Sequence, residues 1–381
     1  MHLTKIREIF EQGEGILRLR PNFVAYKFSK PGFRLKLHPN DYYGFGMNQG
    51  AIKERLLSSV MANRPSYVDA GENVISLADV VAELGADTIG KDLMEKHGTF
   101  PIHAKFFDYG EPLFHHLHLT FEAAARIGQQ GKPEAYYYPP QMNNYPGTFP
   151  HTYFGFDPST TMEMVRERLL DFDKRDMRIT ELSRAFRLEL GTGWYIPGGV
   201  LHAPGSYCTY EPQWNSSSGA IYENVTAGEV NSMDWIRNSC PEGKQNDMDY
   251  IMSLIDWDKN VDPNFKQNYF RPPVICSEAE GYVEKWITYN NEYFFAKELT
   301  VNPGQTVTIK DDAAYGCVFV QGYGKFGNYN AETPTMIRFN ERTADEYFVS
   351  EEAAKNGVTI SNLSEFEPIV VLKHFAGDAY V

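Results

Sequence analysis

Hydrophobic and polar residues alternate along this chain with two different periods. A spacing of three to four residues, which places apolar side chains on one face of a helix, runs through residues 5–12 and again through residues 77–84. Ser76 stands at the N-cap position of the second helix, and Asp79 lies in its first turn. A third helix is predicted over residues 90–96. Between the first and second of these helices, residues 16–37 alternate as strands do.

A period of two, which is typical of half-buried strands, follows these helices. It predicts strands over residues 101–107 and 112–120 and a return strand over residues 210–224. From about Arg271 onward a new all-β pattern begins, with an Asn-Pro-Gly turn at residues 302–304. The pattern therefore indicates a mainly β protein with two strand-rich regions.

Two histidines in the second predicted strand are the strongest chemical signal. His116 and His118 lie two positions apart, so both side chains project from the same face of the strand. Later strands can bring Glu134 and His202 to the same place. Three imidazole nitrogens and one carboxylate oxygen suit zinc, manganese, iron, cobalt or nickel. The sequence therefore predicts one divalent metal ion, with zinc as the first choice, held by these four residues.

The glycines and the proline around the ligands point to a fold. Gly110, five residues and His-X-His match the first half of the cupin signature, and Gly191, five residues and Pro-X-Gly-X-X-His match the second half. Two half-motifs in the right order predict a cupin, or jelly-roll, barrel with helical insertions in residues 1–265. Residues 266–381 are predicted to form a second, smaller cupin-like β-barrel domain without metal ligands.

The carboxylate ligand has two candidates. Glu122 follows His-X-His at the spacing of the general cupin motif, whereas Glu134 ends the sequence Gly-Lys-Pro-Glu. Residues 120–127 contain three consecutive alanines and favour a helix, which would turn Glu122 away from the barrel. We therefore prefer Glu134.

Composition and charge exclude several classes of partner. The 381 residues are 42% hydrophobic, enough for a sizeable core, and the formal net charge of −14 without a basic patch argues against nucleic acid and anionic membrane surfaces. We find no apolar signal-peptide core or membrane-spanning run, and we predict a cytoplasmic protein. The four cysteines are widely spaced, which predicts reduced thiols in or near the core.

Five segments of the first half of the chain form a recognisable series. In order, they are ISLAD at 75–79, FPIHAKFFD at 100–108, EPL at 111–113, HLH at 116–118 and GKPE at 131–134. Together they resemble the type I mannose-6-phosphate isomerases, and the resemblance covers most of the first two thirds of the chain. In that family a Gln-X-His pair, a glutamate and a later histidine hold one zinc ion, and a cupin barrel carries helical additions and a second β-domain.

The resemblance implies roles for further residues. His116 takes the place of the family glutamine, and Lys105 corresponds to a lysine near the substrate. Glu211 corresponds to the glutamate of a Glu-X-Gln motif. By this reasoning the metal and Lys105 polarise a sugar carbonyl, while Glu211 shuttles a proton between C1 and C2 through an enediolate. Apart from the resemblance, Lys132 is a candidate for binding the substrate, with pairing to a neighbouring acid as the alternative. Tyr136 is a candidate for flanking a sugar ring, with packing in the core as the alternative.

One departure from the family concerns the substrate. The family has an arginine implicated in catalysis after the Glu-X-Gln strand, whereas this chain has Glu223. A carboxylate there would repel a substrate phosphate, so we assign Glu223 to substrate binding and expect a sugar other than mannose 6-phosphate. Asn143, Asn144 and His151, in a proline-rich loop, are further candidates for the pocket.

The functional prediction is a metal-dependent aldose–ketose isomerase acting on a sugar or sugar phosphate as a monomer or homodimer. Two alternatives stay open at this point. One is a metal-dependent cupin of another class, such as an iron oxygenase, and the other is a non-catalytic sugar-binding cupin.

Overall fold

Helices form where the three-to-four-residue pattern predicts them. The computed structural model describes residues 2–143 and 149–381, so Asn144 lies outside the described residues. The Ser76 hydroxyl accepts a hydrogen bond from the Asp79 N–H, and the Asp79 carboxylate accepts one from the Ser76 N–H. This reciprocal pair satisfies amide groups that a helix start leaves open. The described α-helices are α1 (His2–Gln12), α2 (Leu77–Leu84), α3 (Ala86–Ile89), α4 (Lys91–His97), α5 (Phe121–Ala125), α6 (Met162–Leu169), α7 (Asp234–Arg237), α8 (Met248–Ser253), α9 (Trp257–Asn260), α10 (Phe265–Tyr269) and α11 (Glu351–Asn356).

Strands provide most of the regular structure, and they are almost all antiparallel to their neighbours. Short 3₁₀ turns at Pro39–Asp41, Met47–Gln49, Pro140–Met142 and Ile179–Leu182 lie between them. The described strands are β1 (Ile16–Arg18), β2 (Asn22–Tyr26), β3 (Ala51–Leu57), β4 (Ile102–Phe107), β5 (His116–Leu117), β6 (Glu134–Tyr137), β7 (His151–Phe156), β8 (Ser183–Arg187), β9 (Gly193–Ile196), β10 (His202–Ala203), β11 (Thr209–Trp214), β12 (Ala220–Ile221), β13 (Val225–Thr226), β14 (Glu229–Val230), β15 (Phe270–Arg271), β16 (Val274–Ala279), β17 (Tyr282–Thr288), β18 (Phe294–Val301), β19 (Thr306–Ile309), β20 (Tyr315–Gln321), β21 (Tyr323–Phe326), β22 (Tyr329–Glu332), β23 (Glu346–Val349), β24 (Val358–Asn362) and β25 (Ile369–Ala376).

Two facing sheets form the barrel that carries the histidines. One sheet has the strand order β12-β5-β10-β7-β8, and the other has the order β15-β9-β6-β11-β4-β3-β2. Phe154 of the first sheet packs against Tyr136 and Trp194 of the second, with ring centroids 6.0 and 5.0 Å apart. Apolar and aromatic side chains from both sheets thus fill much of the space between them.

A second pair of sheets packs against the seven-stranded sheet of this barrel. Their strand orders are β1-β23-β20-β25-β18-β17-β16 and β19-β24-β21-β22. Buried contacts join the two pairs: the hydroxyl of Tyr210 lies 2.9 Å from Nδ1 of His374, and Arg55 forms an ion pair of 2.8 Å with Asp345. The prediction of a mainly β fold with helical additions is confirmed.

Each pair of sheets contains one strand from the far part of the chain. Near the N-terminus, β1 pairs with β23, so that Ile16 lies opposite Val349. Conversely, β15 follows residue 265 but pairs with β9, and Phe270 lies opposite Trp194. The division into two domains at residue 265 stays a prediction.

Two predicted strands are wrong in their extent. The strand predicted over residues 112–120 is reduced to β5, because the N–H of His115 donates to the Glu223 carboxylate instead of extending the ladder. The strand predicted over residues 210–224 is broken into β11 and β12, which belong to opposite sheets. Between them the Ser216 hydroxyl donates to the carbonyl of Gln130, which turns the chain from one sheet to the other.

The cysteines and the described helices agree with the expectations of reduced thiols and of no membrane-spanning helix. All four cysteines have free thiols, and those of Cys208, Cys240 and Cys317 are buried. Within residues 2–143 and 149–381, no helix is both long enough and apolar enough to cross a membrane. The cytoplasmic location stays a prediction.

Candidate active site

Neighbouring strands bring the three histidines together. His116 on β5 lies directly opposite His202 on β10 in the antiparallel register, and their ring centroids are 4.2 Å apart. His118 follows β5, where its carbonyl accepts a 2.7 Å hydrogen bond from the N–H of Gly199. Gly199 has a φ of +82°, which glycine adopts without strain. This contact ties the loop before His202 directly to the His-X-His segment.

Each of the three imidazoles is held through its Nδ1 atom. Nδ1 of His116 donates to the carbonyl of Phe114, that of His118 to Ser218 and that of His202 to Val200, at 3.0, 2.8 and 2.9 Å. In a neutral imidazole this leaves the lone pair on Nε2. The ligand atoms of the three histidines lie within 4.8 Å of one another. The three rings are therefore oriented as a metal site requires.

Glu134 reaches these nitrogens from the opposite sheet. Its two carboxylate oxygens lie 3.0 Å from Nε2 of His118 and 3.0 Å from Nε2 of His202. Oε1 of Glu134 and Nε2 of His202 are buried without a hydrogen-bond partner among the described residues. Two lone-pair atoms this close repel each other unless a proton or a metal cation lies between them. The residues present therefore fit a divalent metal ion.

The protonation states of these side chains also favour a metal. Burial, reinforced by the other two histidines, holds the pKa of His116 well below its usual value. Burial and Lys132 lower the pKa of His118 to about 4. Burial alone would raise the pKa of Glu134, but Lys132 and His118 outweigh it and keep that pKa well below its ordinary range. Neutral imidazoles and an ionised carboxylate are the forms that bind metals.

Lys132 lies directly beside these four residues. Its ammonium group is 2.9 Å from Nε2 of His118 and 2.9 Å from Oε2 of Glu134. It is also 3.7 Å from Oε1 of Glu211. Lys132 thus joins the histidine cluster to the predicted proton shuttle.

Glu211 is a buried carboxylate between two lysines. Its Oε1 atom lies 3.4 Å from the ammonium of Lys105 and has no hydrogen-bond partner among the described residues. Burial and the charge of Glu134 raise the pKa of Glu211 to about 8, although both lysines oppose this shift. A carboxylic acid with a pKa near neutrality can both accept and release a proton at physiological pH.

Glu54 is a site residue that the sequence analysis missed. It accepts hydrogen bonds from Lys105, Tyr109 and Tyr26, at 2.9, 2.8 and 2.8 Å. These contacts fix the ammonium of Lys105 beside Glu211. The signal was present in the sequence, because Glu54 is one of three consecutive charged residues in the middle of the otherwise apolar β3.

These side chains line a cavity of about 670 Å³, a size typical of small-molecule sites. Lys105, Lys132 and Tyr136 all border it, as do the imidazoles of His116 and His118. Burial and Glu134 raise the pKa of Tyr136 well above its usual value, so this phenol keeps its proton.

The structure places the other candidates elsewhere. The carboxylate of Glu223 bonds to His115 and does not border the cavity, so its predicted contact with the substrate has no support in this geometry. Glu122 lies on α5, is largely exposed and pairs with Arg126. Asn143 bonds to the Pro139 and Cys208 backbones, and the side chain of His151 bonds to the Phe149 carbonyl, so both serve local structure.

Comparison with solved structures identifies the architecture, although no family model and no curated protein matches the sequence. A protein of Archaeoglobus fulgidus assigned as a mannosephosphate isomerase is 18% identical, with a TM-score of 0.64 over 95% of this chain and 97% of that chain. The mannose 6-phosphate isomerase of Bacillus subtilis is 17% identical, with a TM-score of 0.63 over 94% and 99%.

A histidine-to-glutamine variant of phosphomannose isomerase from Salmonella typhimurium is 10% identical, with a TM-score of 0.67 over 95% and 100%. A further similar structure is a mannose 6-phosphate isomerase bound with zinc and yttrium. The similarity extends over nearly the whole length of both chains in each case. The chain therefore has the fold of the mannose-6-phosphate isomerases.

Proposed function

We propose that this chain is a divalent-metal-dependent aldose–ketose isomerase that acts on a reducing sugar. The observation that carries the proposal is that two groups of side chains lie next to each other at one cavity. The first is the group of His116, His118, His202 and Glu134, whose lone pairs converge. The second is Glu211, a buried carboxylate with a pKa near neutrality that lies between Lys105 and Lys132. An isomerase needs both an electrophile and a proton carrier.

The four ligands would hold one metal ion, with zinc as the first choice. Three imidazoles and a carboxylate form a set that zinc accepts, and one structure of the same fold is described with zinc. When bound, such an ion supplies a Lewis acid that polarises oxygen atoms of the substrate. The backbone carbonyls that accept from the three Nδ1 atoms keep each Nε2 available for it.

Glu211 is the proposed proton carrier. In its ionised form the free Oε1 atom accepts the proton from C2 of an aldose, which gives the enediolate, and the same carboxylic acid then delivers that proton to C1. The hydroxyl proton of O2 passes to O1 in the same conversion, so that a C2 carbonyl and a C1 hydroxyl form and the product is the ketose. A bound divalent cation would counter the charge of Glu134 and bring the pKa of Glu211 closer to 7. The removal of the proton from C2 and its delivery to C1 would then both use Glu211, whose ionised and protonated forms would be close in free energy.

The two lysines hold charge on either side of this carboxylate. Lys105, fixed by Glu54, can donate a hydrogen bond to an oxygen of the substrate as negative charge develops on it. Lys132 can do the same beside the histidines. Phe107, Tyr109 and Tyr136 border the cavity and would present apolar ring surface to the carbon atoms of a bound sugar.

The more exposed part of the cavity wall offers groups that could bind either a phosphorylated or a free sugar. Lys27 and Arg64 border the cavity and have no ion-pair partner among the described residues, although Arg64 donates to the Tyr26 hydroxyl. Ser216, Ser217 and Asn231 supply neutral polar groups to the same wall. A phosphorylated sugar would use the two cations, whereas a free sugar would use the neutral groups.

The test is a panel of aldoses and ketoses, each offered free and phosphorylated, to protein loaded with zinc or manganese in deuterated water. We expect interconversion of one aldose–ketose pair with solvent deuterium entering at the carbon that receives the proton. The His118→Ala variant should give no conversion, and the Glu122→Ala variant should behave as the parent protein. Oxygen consumption without isomerisation, or no conversion across the whole panel, would overturn the proposal.

A further inference from the structure

Glu223 makes an unusual pair of contacts next to the first metal ligand. Its Oε2 atom accepts two hydrogen bonds from one residue, the backbone N–H and the Nδ1–H of His115, both at 2.8 Å. The side chain of Glu223 is only 12% exposed, and His115 is the one hydrogen-bond partner of its carboxylate among the described residues. Burial of a carboxylate costs free energy, and the two hydrogen bonds from His115 offset part of that cost.

The N–H of His115 and the carbonyl of Phe114 belong to one peptide group. That carbonyl accepts the 3.0 Å hydrogen bond from Nδ1 of His116. Because a peptide group is planar, fixing its N–H also fixes the direction of its C=O. The carboxylate of Glu223 therefore acts on His116 through the intervening peptide plane.

The neighbouring strand repeats this arrangement. Nδ1 of His202 donates to the carbonyl of Val200, and the N–H of the same peptide group, which belongs to Leu201, donates to Oδ1 of Asn260 at 2.8 Å. Asn260 is fully buried and also donates to the Gly199 carbonyl at 2.8 Å. The peptide groups that hold the two adjacent imidazoles are thus fixed in the same way. A carboxylate accepts from the first peptide N–H, and a side-chain amide oxygen accepts from the second.

We propose that Glu223 and Asn260 are positioning residues that orient His116 and His202 for the metal ion through the peptide groups Phe114–His115 and Val200–Leu201. The negative charge of Glu223 also polarises its peptide group, so that the Phe114 carbonyl becomes a stronger acceptor and Nε2 of His116 a stronger donor to a metal. This inference rests on the proposed metal site but concerns residues that do not touch the metal or the substrate.

The test compares zinc affinity in folded protein, measured by competition with a chromophoric chelator. The removal of a group that orients a metal ligand typically weakens binding by about 10- to 100-fold. We expect this loss in the Glu223→Ala and Asn260→Ala variants. The Glu223→Gln variant keeps an oxygen acceptor of the same shape and should recover most of the affinity. The Glu122→Ala variant removes an exposed carboxylate and serves as the matched control.

A second readout separates orientation from simple destabilisation. In cobalt-loaded protein the visible absorption bands report the geometry of the ligands, and we expect them to shift in Glu223→Ala but not in Glu122→Ala. Urea unfolding of the metal-free proteins measures any general loss of stability. If Glu223→Ala and Glu223→Gln both bind zinc within about twofold of the parent protein, the positioning role is excluded. If the parent protein itself binds no zinc, the proposed function fails instead.

Discussion

The ammonium group of Lys132 lies 2.9 Å from Nε2 of His118, within hydrogen-bonding distance of an atom that the site offers to a metal. It also contacts the carboxylate of Glu134, so one lysine neutralises part of the charge that a metal ion would neutralise. If Nε2 of His118 bound a metal ion, this ammonium would have to move away from it. Glu211 lies 3.7 Å away and is a ready second partner.

The position of Lys132 predicts competition between its ammonium group and the metal. The Lys132→Met variant should bind zinc about tenfold more tightly or better, because a nearby unit charge opposes a divalent cation even in a highly polar medium. Its isomerase activity should fall at the same time. Zinc titration with a competing chelator checks the affinity, and a weaker affinity in the variant would contradict the competition.

Metal binding should also stabilise the fold. Zinc at 100 times its dissociation constant should raise the free energy of unfolding of the parent protein by about 2.7 kcal/mol. The His118→Ala variant, which lacks one imidazole, should lose this response, whereas Glu122→Ala should keep it. Thermal or urea unfolding with zinc and with a chelator provides the measurement. An equal rise in His118→Ala would mean that zinc acts at another place.

Substitution of the proposed proton carrier should affect the reaction and spare the metal site. The Glu211→Gln variant removes the ionisable oxygen while keeping the shape of the side chain. We expect kcat to fall about 10²- to 10⁴-fold, the usual contribution of a positioned acid–base group. Its zinc content, measured by elemental analysis, should equal that of the parent protein. A kcat within threefold of the parent would assign the proton transfer to another residue.

His374, a buried histidine that is not among the proposed metal ligands, predicts how stability depends on pH. Burial, with a smaller effect of His103, lowers the pKa of His374 from 6.5 to about 3. In the unfolded chain His374 takes up a proton below about pH 6.5, while in the folded protein it stays neutral, so acid favours unfolding. Stability should therefore be lost as the pH falls from 6.5 towards 3.

The His374→Gln variant isolates this effect. Above pH 7.5 the difference in unfolding free energy between parent and variant should be constant. Below pH 6.5 the parent should lose about 1.4 kcal/mol more per pH unit than the variant, since one extra proton is bound on unfolding. Urea unfolding at several pH values measures both curves. Parallel curves down to pH 4.5 would show that His374 does not stay neutral in the fold.

Local signals explain which parts of this structure the sequence could predict. Ser76 and Asp79 determine the start of α2 through contacts three residues apart, and the spacing of His116 and His118 places both rings on one side of a strand. Contacts of this range depend on few neighbours. The predicted ligands Glu134 and His202 also converge. The second cupin half-motif encodes the turn before His202, where Gly199 has a positive φ.

Long-range contacts explain what the sequence could not predict. The shortening of β5 depends on Glu223, which lies 108 residues away from His115. The role of Glu54 depends on a tyrosine at position 26 and on a lysine and a second tyrosine at positions 105 and 109, which are two separate segments of the chain. A departure from a family motif shows only that Glu223 differs, and it does not show that its carboxylate bonds to His115 instead of bordering the cavity.

The exchange of β1 and β15 between the two pairs of sheets has a practical consequence for anyone who truncates this protein. A gene fragment that stops at residue 265 would encode β1 without β23, its partner, and would leave β9 with a bare edge where β15 belongs. Exposed edges of this kind pair with other molecules. Expression of either half alone should therefore yield aggregates, and co-expression of the two halves should restore soluble material.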